Sequence, residues 1–533
     1  MINQDAPICK EIQVKYRGGQ PQVIQPSAQT DEFIANASSL SMSNALKIVG
    51  DSGLYQHYII NFLCFGFFSK GLIGILLSYV YYIPKFYCLT NGSEYTACTQ
   101  QDVCSGKYVF MVGSERQSIV TDFGAYCGEK RLYILKSQAL IFTLAAVITF
   151  MVSIFSDRVG RKIVYYIMFF TFMLGFSLAI ISQQLGYISA GMVLVWTAID
   201  IYYSNSVLYL NEISGNYLRA RIAKFFIFSA AGAILINFVL IYITNYKSFL
   251  MICLACISTF SIFLSKIIES PFILFTNGKI KSCYDSLFAI SVFNRTDKQS
   301  TQKLKEYFKI ETVIEKPLEE VEEISILNNT SSFNNVMETL NLLFQDIYLF
   351  RLIGGCILGI NIYVNESVTL LIPQRLGIDD IYLMNILIHT ADLLGLLLLF
   401  PVSHLISKKR IYIGVCFGIL SVAFLLYVNE FNKANNTYQL VATTASCLMK
   451  FIQAIGYSVV INYIAELFPT KIRGLATGII ICISRMSHSL APSIDHIAFR
   501  MDTHPLILTS IPALFAVPVA LFMPETHNKD LIN

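Results

Sequence analysis

Charged residues are scarce in this chain. Asp, Glu, Lys and Arg make up only 14% of its 533 residues, whereas soluble proteins carry roughly 25%. Hydrophobic residues make up 55%, with 39 Phe and 30 Tyr but a single Trp. This balance excludes an ordinary soluble protein and indicates that a lipid bilayer surrounds much of the chain. The net charge of +4 is small and diffuse, so no nucleic-acid partner is expected.

Sequence motifs of catalysis are also missing. The chain has no glycine-rich phosphate loop, no metal-ligand spacing, and no nucleophile in sequence context with a base. We therefore predict that it is not an enzyme and uses no cofactor or metal. Residues 1 to about 45 are polar and show no signal peptide. A signal anchor in the first membrane helix is expected to direct insertion instead.

The chain does contain long apolar stretches, each close in length to the roughly 20 residues that span a membrane. They predict an all-α, multi-pass membrane protein of twelve helices in two six-helix bundles. The stretches run near 57–79, 135–156, 163–183, 186–211, 221–243, 248–268, 347–373, 379–402, 411–430, 438–466, 473–495 and 503–523. The predicted organisation is an N-terminal segment (1–56), a first bundle (57–268) with an outer loop (80–134), a polar linker (269–346), a second bundle (347–523) and a tail (524–533).

Cations between the helices predict the orientation. "SDRVGRK", "RARIAK", "SKKR" and "TKIR" follow the second, fourth, eighth and tenth stretches. Short loops rich in Lys and Arg stay on the cytoplasmic side. Both termini are therefore predicted to be cytoplasmic.

The first outer loop carries four cysteines and a glycosylation sequon. Cys88, Cys98, Cys104 and Cys127 allow two disulfides in three connectivities, and Asn91 begins the sequon. Bridges and a glycan are expected in a membrane of the secretory route. A plasma or endosomal membrane is favoured. In the alternative, a mitochondrial inner membrane, the thiols stay free and Asn91 stays bare.

An internal repeat relates the two halves. Glu212 and Arg219 recur as Glu466 and Arg473, 254 residues later, and "ESP" at Glu269 recurs as "PET", 256 residues later. "SDRVGRK" pairs weakly with "LISKKR". Six helices therefore repeat once in the same orientation. Parallel halves of this kind are typical of transporters that bind substrate near the bilayer midplane.

The repeated motifs place carboxylates near the ends of membrane helices, where helix N-termini favour negative charge. Such clusters can latch the two halves and release them as they rock, whereas the alternative is plain topology charge without a gating role. The predicted gating residues are Asp157, Arg158, Gly160, Arg161, Glu212, Arg219, Glu269, Glu466, Arg473 and Glu525.

Ionisable residues also lie inside the apolar stretches. Because such groups are costly in a membrane, each is a functional candidate. The candidates for substrate binding are Asp200, Asp392, Lys450 and Arg485. The alternatives are structural: an Arg485–Asp392 ion pair, a Lys450 that snorkels or pairs with Asp392, and an Asp200 that hydrogen-bonds Ser204 or Asn205. Other polar and aromatic residues are expected to be packed in the core: Tyr202, Tyr203, Tyr457, His389 and His488.

Several motifs together resemble a known family. "SDRVGRK" resembles a loop motif of the major facilitator superfamily. "SIVTDFGAYC", "NEISGNYLR", "ESPFIL", "AELFPTKIR" and "MPETHNKDL" together resemble its organic cation and organic anion transporters, over about 44–529. The resemblance implies a carrier of small organic ions that works by alternating access, with a glycosylated, disulfide-linked first outer loop.

The resemblance also assigns site residues. Arg485 falls where organic anion transporters tend to have Arg, Asp392 falls on an acidic position, and Tyr363 falls on an aromatic position of the substrate cage. Leu396 replaces a lysine of some anion transporters. We therefore expect organic ions, with a leaning to anions.

The chain also departs from the family pattern. "HLISKK", the second loop motif, is eroded, and Phe272 and Ile273 replace the usual Arg-Trp. These departures leave open a structural subunit that lost transport, with other membrane subunits as partners. A neutral-solute carrier is a third reading.

Overall fold

Long α-helices make up most of the structure, which is a computed structural model. It describes residues 14–17, 20–23, 42–75, 79–90, 94–98, 100–113, 116–214, 223–259, 261–308, 341–371, 381–402, 405–431, 437–501 and 503–526. Within these ranges, ten helices are long and apolar enough to cross a membrane. Two further helices, Leu54–Gly74 and Ala223–Leu240, lie where the first and fifth membrane helices are predicted.

The first half consists of α1 to α6, which pack around a shared apolar core. Their bounds are Leu54–Gly74 (α1), Gly128–Val159 (α2), Arg161–Ile181 (α3), Leu185–Ile213 (α4), Ala223–Leu240 (α5) and Tyr246–Ser258 (α6). Within this half, α4 packs on α2 and α3, α1 packs on α5, and α6 packs on α3.

The second half consists of α7 to α12 and repeats this arrangement. After α11 the chain makes a 3₁₀ turn, Ser487–Leu490, and continues as a helix over Ala491–Arg500, and Pro505–Leu508 precedes α12. The bounds are Asp346–Leu371 (α7), Ile381–Val402 (α8), Lys408–Glu430 (α9), Tyr438–Glu466 (α10), Thr470–Met486 (α11) and Ser510–Phe522 (α12).

Several predicted helix bounds differ from the structure: the eleventh helix ends at Met486 rather than near residue 495, and the twelfth begins at Ser510 rather than near residue 503. The second helix begins at Gly128 rather than near residue 135, because a polar first turn extends beyond the apolar stretch that the prediction counts. The sixth helix ends at Ser258 and is followed by the short helix Ser261–Leu264, rather than running to residue 268. Hydropathy locates the apolar part of a helix and not its hydrogen-bonded ends.

The two ends of the molecule differ. One end carries Arg161, Glu212 and Glu466 and is called the motif end. The opposite end carries the disulfide-linked segment between α1 and α2 and is called the loop end. Short helices lie before α1 and after α6: Met42–Val49, Pro271–Thr276, Ile280–Phe293 and Lys298–Phe308. Asn294 fastens the linker to α1, since its carboxamide accepts from the Tyr55 amide (2.7 Å) and donates to the Gly50 carbonyl (3.1 Å).

The loop end contains a small sheet. Phe86–Thr90 pairs antiparallel with Glu94–Cys98 on one side and with Phe110–Val112 on the other. The short helices Gln100–Cys104 and Ile119–Asp122 complete the segment. The structure joins Cys88 to Cys98 and Cys104 to Cys127, which is one of the three connectivities. Asn91 lies outside the described residues. A separate pair of strands, Val14–Arg17 and Gln20–Val23, precedes the first bundle.

Packing of the bundle places apolar side chains both inside and outside. On α3, Phe170 and Leu174 are 67% and 61% exposed, as expected for a surface that lipid covers. Across the middle, α2 packs on α11 and α5 packs on α8. These two helix pairs join the halves and enclose the space between them.

Close packing of α1 on α5 yields a stability prediction. A Cβ on Gly71 would overlap the backbone carbonyl of Ser229 on α5, whereas a Cβ on Gly74, three residues along, meets nothing within 4 Å. Overpacking costs about 1–3 kcal/mol. Gly71→Ala is therefore expected to lower the melting temperature of the detergent-solubilised protein. Gly74→Ala is the matched control and should leave it unchanged or raise it, because Ala favours helix. Equal melting temperatures for the two variants would show that α1 and α5 are not in close contact there.

Candidate functional site

A cavity with several charged side chains in its wall lies between the two halves, near the middle of the bundle. Its volume is about 100 Å³, which leaves room for several water molecules. Helices of both halves contribute side chains to its wall. The charged and imidazole side chains among them are Lys70, Glu366, His389, Asp392, Lys450, Arg485 and His488.

Arg485 forms an ion pair that crosses between the halves. Its Nε lies 3.1 Å from Oδ1 of Asp200, which belongs to α4 of the first half, while Arg485 belongs to α11 of the second. The two residues are 4% and 3% exposed. Burial weakens solvent screening, so the attraction between these charges is stronger than at a surface. The pair therefore ties the two halves together inside the membrane region.

The rest of the Arg485 guanidinium is also engaged. One terminal nitrogen donates to the Tyr457 hydroxyl (3.1 Å), and the other lies 3.4 Å from Nε2 of His488. The guanidinium carbon is 4.7 Å from the ring centroid of Tyr363 and 5.5 Å from that of Tyr203. These are cation–π distances. Every nitrogen of the guanidinium thus has a polar neighbour in the protein.

The sequence analysis gave an Arg485–Asp392 ion pair as an alternative, and the structure shows a different partner for Arg485. Asp200, and not Asp392, neutralises it. The expectation that Asp200 hydrogen-bonds Ser204 is wrong for its carboxylate, since the Ser204 hydroxyl donates to the Asp200 backbone carbonyl (3.0 Å). The Asn205 amide donates instead to the Arg161 carbonyl (3.1 Å).

Asp392 and Lys450 lie on the second-half side of the cavity. Oδ2 of Asp392 is 3.9 Å from Nδ1 of His389, one turn earlier on α8. Lys450 on α10 is 5% exposed and lines the same cavity. The structure thus brings Asp392, Lys450 and Arg485 to one cavity, with Tyr363 stacked on the guanidinium and Asp200 behind it.

Sequence reasoning missed two charged residues of the cavity, Lys70 and Glu366. Lys70 lies in the last turns of α1 and Glu366 in the last turns of α7. The signal was present, because both are ionisable residues within apolar stretches. From sequence alone, a charge near the end of a membrane helix is also explained by its reach to the lipid headgroups.

The motif end of the first half is held by charge pairs. Arg161 donates to Glu212 of α4, with a closest distance of 2.7 Å. The Glu269 carboxylate accepts from the backbone amides of Arg161 (2.6 Å) and Ser270 (3.0 Å). Gly160 has a φ of +119°, and a Cβ there would overlap Glu269. Only glycine therefore allows the carboxylate to cap α3.

The motif end of the second half keeps part of this pattern. Lys408 of the eroded loop motif pairs with Glu466 of α10, and Arg473 donates to the Phe468 carbonyl (3.2 Å). Tyr463 donates to the carbonyl of Pro524 (2.5 Å), next to Glu525. Each of these contacts joins parts of one half.

Other predicted gating residues add little to this picture. The backbone carbonyl of Arg158 accepts from the side-chain amide of Asn277 (3.4 Å). The side chain of Asp157 and the whole of Arg219 lie outside the described residues.

Fold and cavity together define a membrane transport protein built from two related halves. Residues 63–533 match the family described as sugar (and other) transporter. The chain belongs to this family, which makes it a transporter and not an enzyme.

Similar proteins are transporters as well. The chain is 22% identical over 453 residues to solute carrier family 22 member 16 of Homo sapiens, covering 83% of this chain and 73% of that protein. It is 23% identical over 396 residues to the glucose transporter GlcP of Staphylococcus epidermidis, covering 70% of this chain and 82% of that protein. Its fold is similar to that of the major facilitator superfamily proton:xylose symporter XylE, with a TM-score of 0.64, 16% identity, and coverage of 90% of this chain and 98% of XylE.

These matches confirm the predicted fold class, and ten of the twelve predicted membrane helices are long and apolar enough to span a bilayer within the described residues. They also confirm the resemblance to the major facilitator superfamily and its organic cation and anion transporters.

Loss of the counter-charge of Arg485 yields a second stability prediction. Asp200→Ala leaves the guanidinium buried and unpaired, and breaking a buried pair in this way costs about 3–5 kcal/mol. The variant is therefore expected to melt well below the wild type in detergent. Asp200→Ala combined with Arg485→Met removes both charges and should recover most of the loss. Asp285→Ala, at an exposed acid of a surface helix, is the control. A wild-type melting temperature for Asp200→Ala would contradict the ion pair.

Proposed function

We propose that the chain carries small organic ions across a membrane by alternating access, with a preference for anions. One observation carries the preference. Of the charged side chains that line the central cavity, three are cations, Lys70, Lys450 and Arg485, and two are carboxylates, Glu366 and Asp392. Asp200 balances the charge of Arg485, whereas no carboxylate of the described residues forms a salt bridge with Lys70 or Lys450. An anion entering this space therefore meets two lysines that no described acid already pairs with, where screening by water is weak.

The positions of the charge pairs support alternating access, because two pairs lie within single halves and a third joins the halves. The Arg161–Glu212 and Lys408–Glu466 pairs brace each half separately, so each half can move as one body. The Asp200–Arg485 pair spans the two bodies. An anion that binds Arg485 competes with Asp200 and loosens this link, which lets the halves rock about the cavity. In repeat-built transporters such rocking around a fixed site is the usual transport movement.

The relatives support organic ions as the substrate class, although they also offer a rival. A segment of 77 residues is 34% identical to the organic cation transporter-like protein of Drosophila melanogaster, covering 14% of each chain. GlcP and XylE, by their names, transport glucose and xylose. A neutral sugar is thus the second candidate, and a buried arginine is not needed to bind it. The matches give no support to the structural-subunit interpretation.

Membrane location belongs to the same proposal. Two bridged cysteine pairs at the loop end favour a plasma or endosomal membrane, because disulfides form along the secretory route. We place the loop end outside, with a glycan on Asn91, and the motif end and both termini in the cytoplasm.

Uptake by proteoliposomes tests this function. Benzoate, benzamide and benzamidine are nearly equal in size but are anionic, neutral and cationic. We expect the wild type to take up benzoate fastest, and Arg485→Ala to lower the ratio of benzoate to benzamide uptake about tenfold or more, as expected for a lost charge-assisted hydrogen bond, whereas a loss of folded protein would lower both uptakes alike. Arg410→Ala, at an exposed arginine on α9, should match the wild type.

Other outcomes would contradict the proposal in different ways. Wild-type uptake of benzamide or D-glucose above that of benzoate favours the neutral-solute carrier. Uptake of none of these compounds contradicts transport of small organic ions. Equal benzoate uptake by the wild type and Arg485→Ala removes Arg485 from the substrate site.

A further inference from the structure

Lys70 occupies an aromatic cage at the seam between the halves. Its ammonium nitrogen lies 4.6 Å from the ring centroid of Tyr203 and 4.9 Å from that of Tyr457. The rings of Phe226 and Phe67 are 5.8 and 5.9 Å away. The four rings come from α1, α4, α5 and α10. Ring faces at these distances attract a positive charge, and no carboxylate of the described residues forms a salt bridge with this ammonium.

The hydrogen bonds of this ammonium are incomplete. It donates to the Tyr457 hydroxyl at 3.2 Å, which is the one acceptor that the described residues offer it. A lysine ammonium has three N–H donors. Two of them are therefore available to a molecule in the cavity. Arg485 differs, because each of its three nitrogens already has a polar neighbour, in Asp200, Tyr457 or His488.

A second lysine faces the same space from the other half. Lys70 of α1 and Lys450 of α10 both line the cavity of about 100 Å³ and an adjoining one of about 50 Å³. Glu366 and Asp392 line both cavities too. Oε2 of Glu366 is buried and has no hydrogen bond to any part of the chain that the structure describes, so Lys70 does not donate to it.

We infer that Lys70 is the first half's contact to the anionic group of the substrate, with Lys450 facing it from the second half. This inference rests on the proposed transport of organic anions. The two lysines have different surroundings. Aromatic rings surround Lys70, whereas Lys450 lies on the same side of the cavity as Asp392. A carboxylate held between them is bound by both halves at once. Lys70 is thus a specificity-determining residue as well as a link between the halves.

Conservative and charge-removing variants of Lys70 test the assignment. Lys70→Gln removes the charge and Lys70→Arg keeps it. Lys247→Gln is the control, because the Lys247 ammonium donates to the Ser182 carbonyl (3.2 Å), away from the cavity. Benzoate and benzamide uptake into proteoliposomes is measured over a concentration series. Binding of benzoate is measured in detergent as a shift in melting temperature.

The expected result is a change in selectivity. Lys70→Gln should raise the KM for benzoate and lower the ratio of benzoate to benzamide uptake about tenfold or more. The benzoate-induced stabilisation should also disappear. Lys70→Arg should keep most of the wild-type ratio, and Lys247→Gln should keep all of it.

Two results would overturn the inference, and both leave the transport proposal standing. In the first, the wild type takes up benzoate and Lys70→Gln does so with the same ratio and KM. In the second, Lys70→Gln loses benzoate and benzamide uptake equally, which is the signature of a structural lysine. A wild type that takes up neither compound defeats the proposed function itself.

Discussion

A buried guanidinium in a membrane must be neutralised, and the rest of this structure depends on how that is done. An arginine at the centre of a membrane helix costs about 2.5–3.5 kcal/mol on insertion scales. Arg485 meets that cost through a carboxylate of the other half, Asp200, at 3.1 Å. The Arg485 charge, which is unfavourable inside a membrane, therefore has its carboxylate partner only when the two halves are together. Tyr457 reinforces the junction, because its hydroxyl accepts from both Arg485 and Lys70.

Because the Asp200–Arg485 pair links the halves at the cavity, the described charge pairs at the helix ends are not the contacts that join them. The pairs formed by Arg161 with Glu212 and by Lys408 with Glu466 each close on helices of a single half. They make each half rigid, whereas the link between halves lies around the cavity. In the proposed transport cycle the two halves change their mutual orientation around the cavity. A substrate that binds Arg485 would then also act on the Asp200–Arg485 contact between the halves, which couples binding to movement.

Much of this architecture could be predicted from the sequence. Apolar length locates the helices, the recurrence of Glu212 as Glu466 reveals the halves, and a charge within an apolar stretch singles out Arg485. The partner of Arg485 could not be predicted, because one sequence shows which residues share a helix but not which helices face each other. Lys70 was missed for a different reason, since a lysine near a helix end is normally explained by the lipid headgroups. Only the surrounding rings of α4, α5 and α10 show that it points inward.

A cryo-EM map of the purified protein that resolves side chains tests the central claim most directly. The account predicts continuous density between the Asp200 carboxylate and the Arg485 guanidinium, beside a solvent-filled cavity that both halves line. It also predicts the Lys70 ammonium among the four rings of its cage. A guanidinium that points to lipid, or that pairs with an acid of its own half while the space between the halves is filled by side chains, would contradict the account.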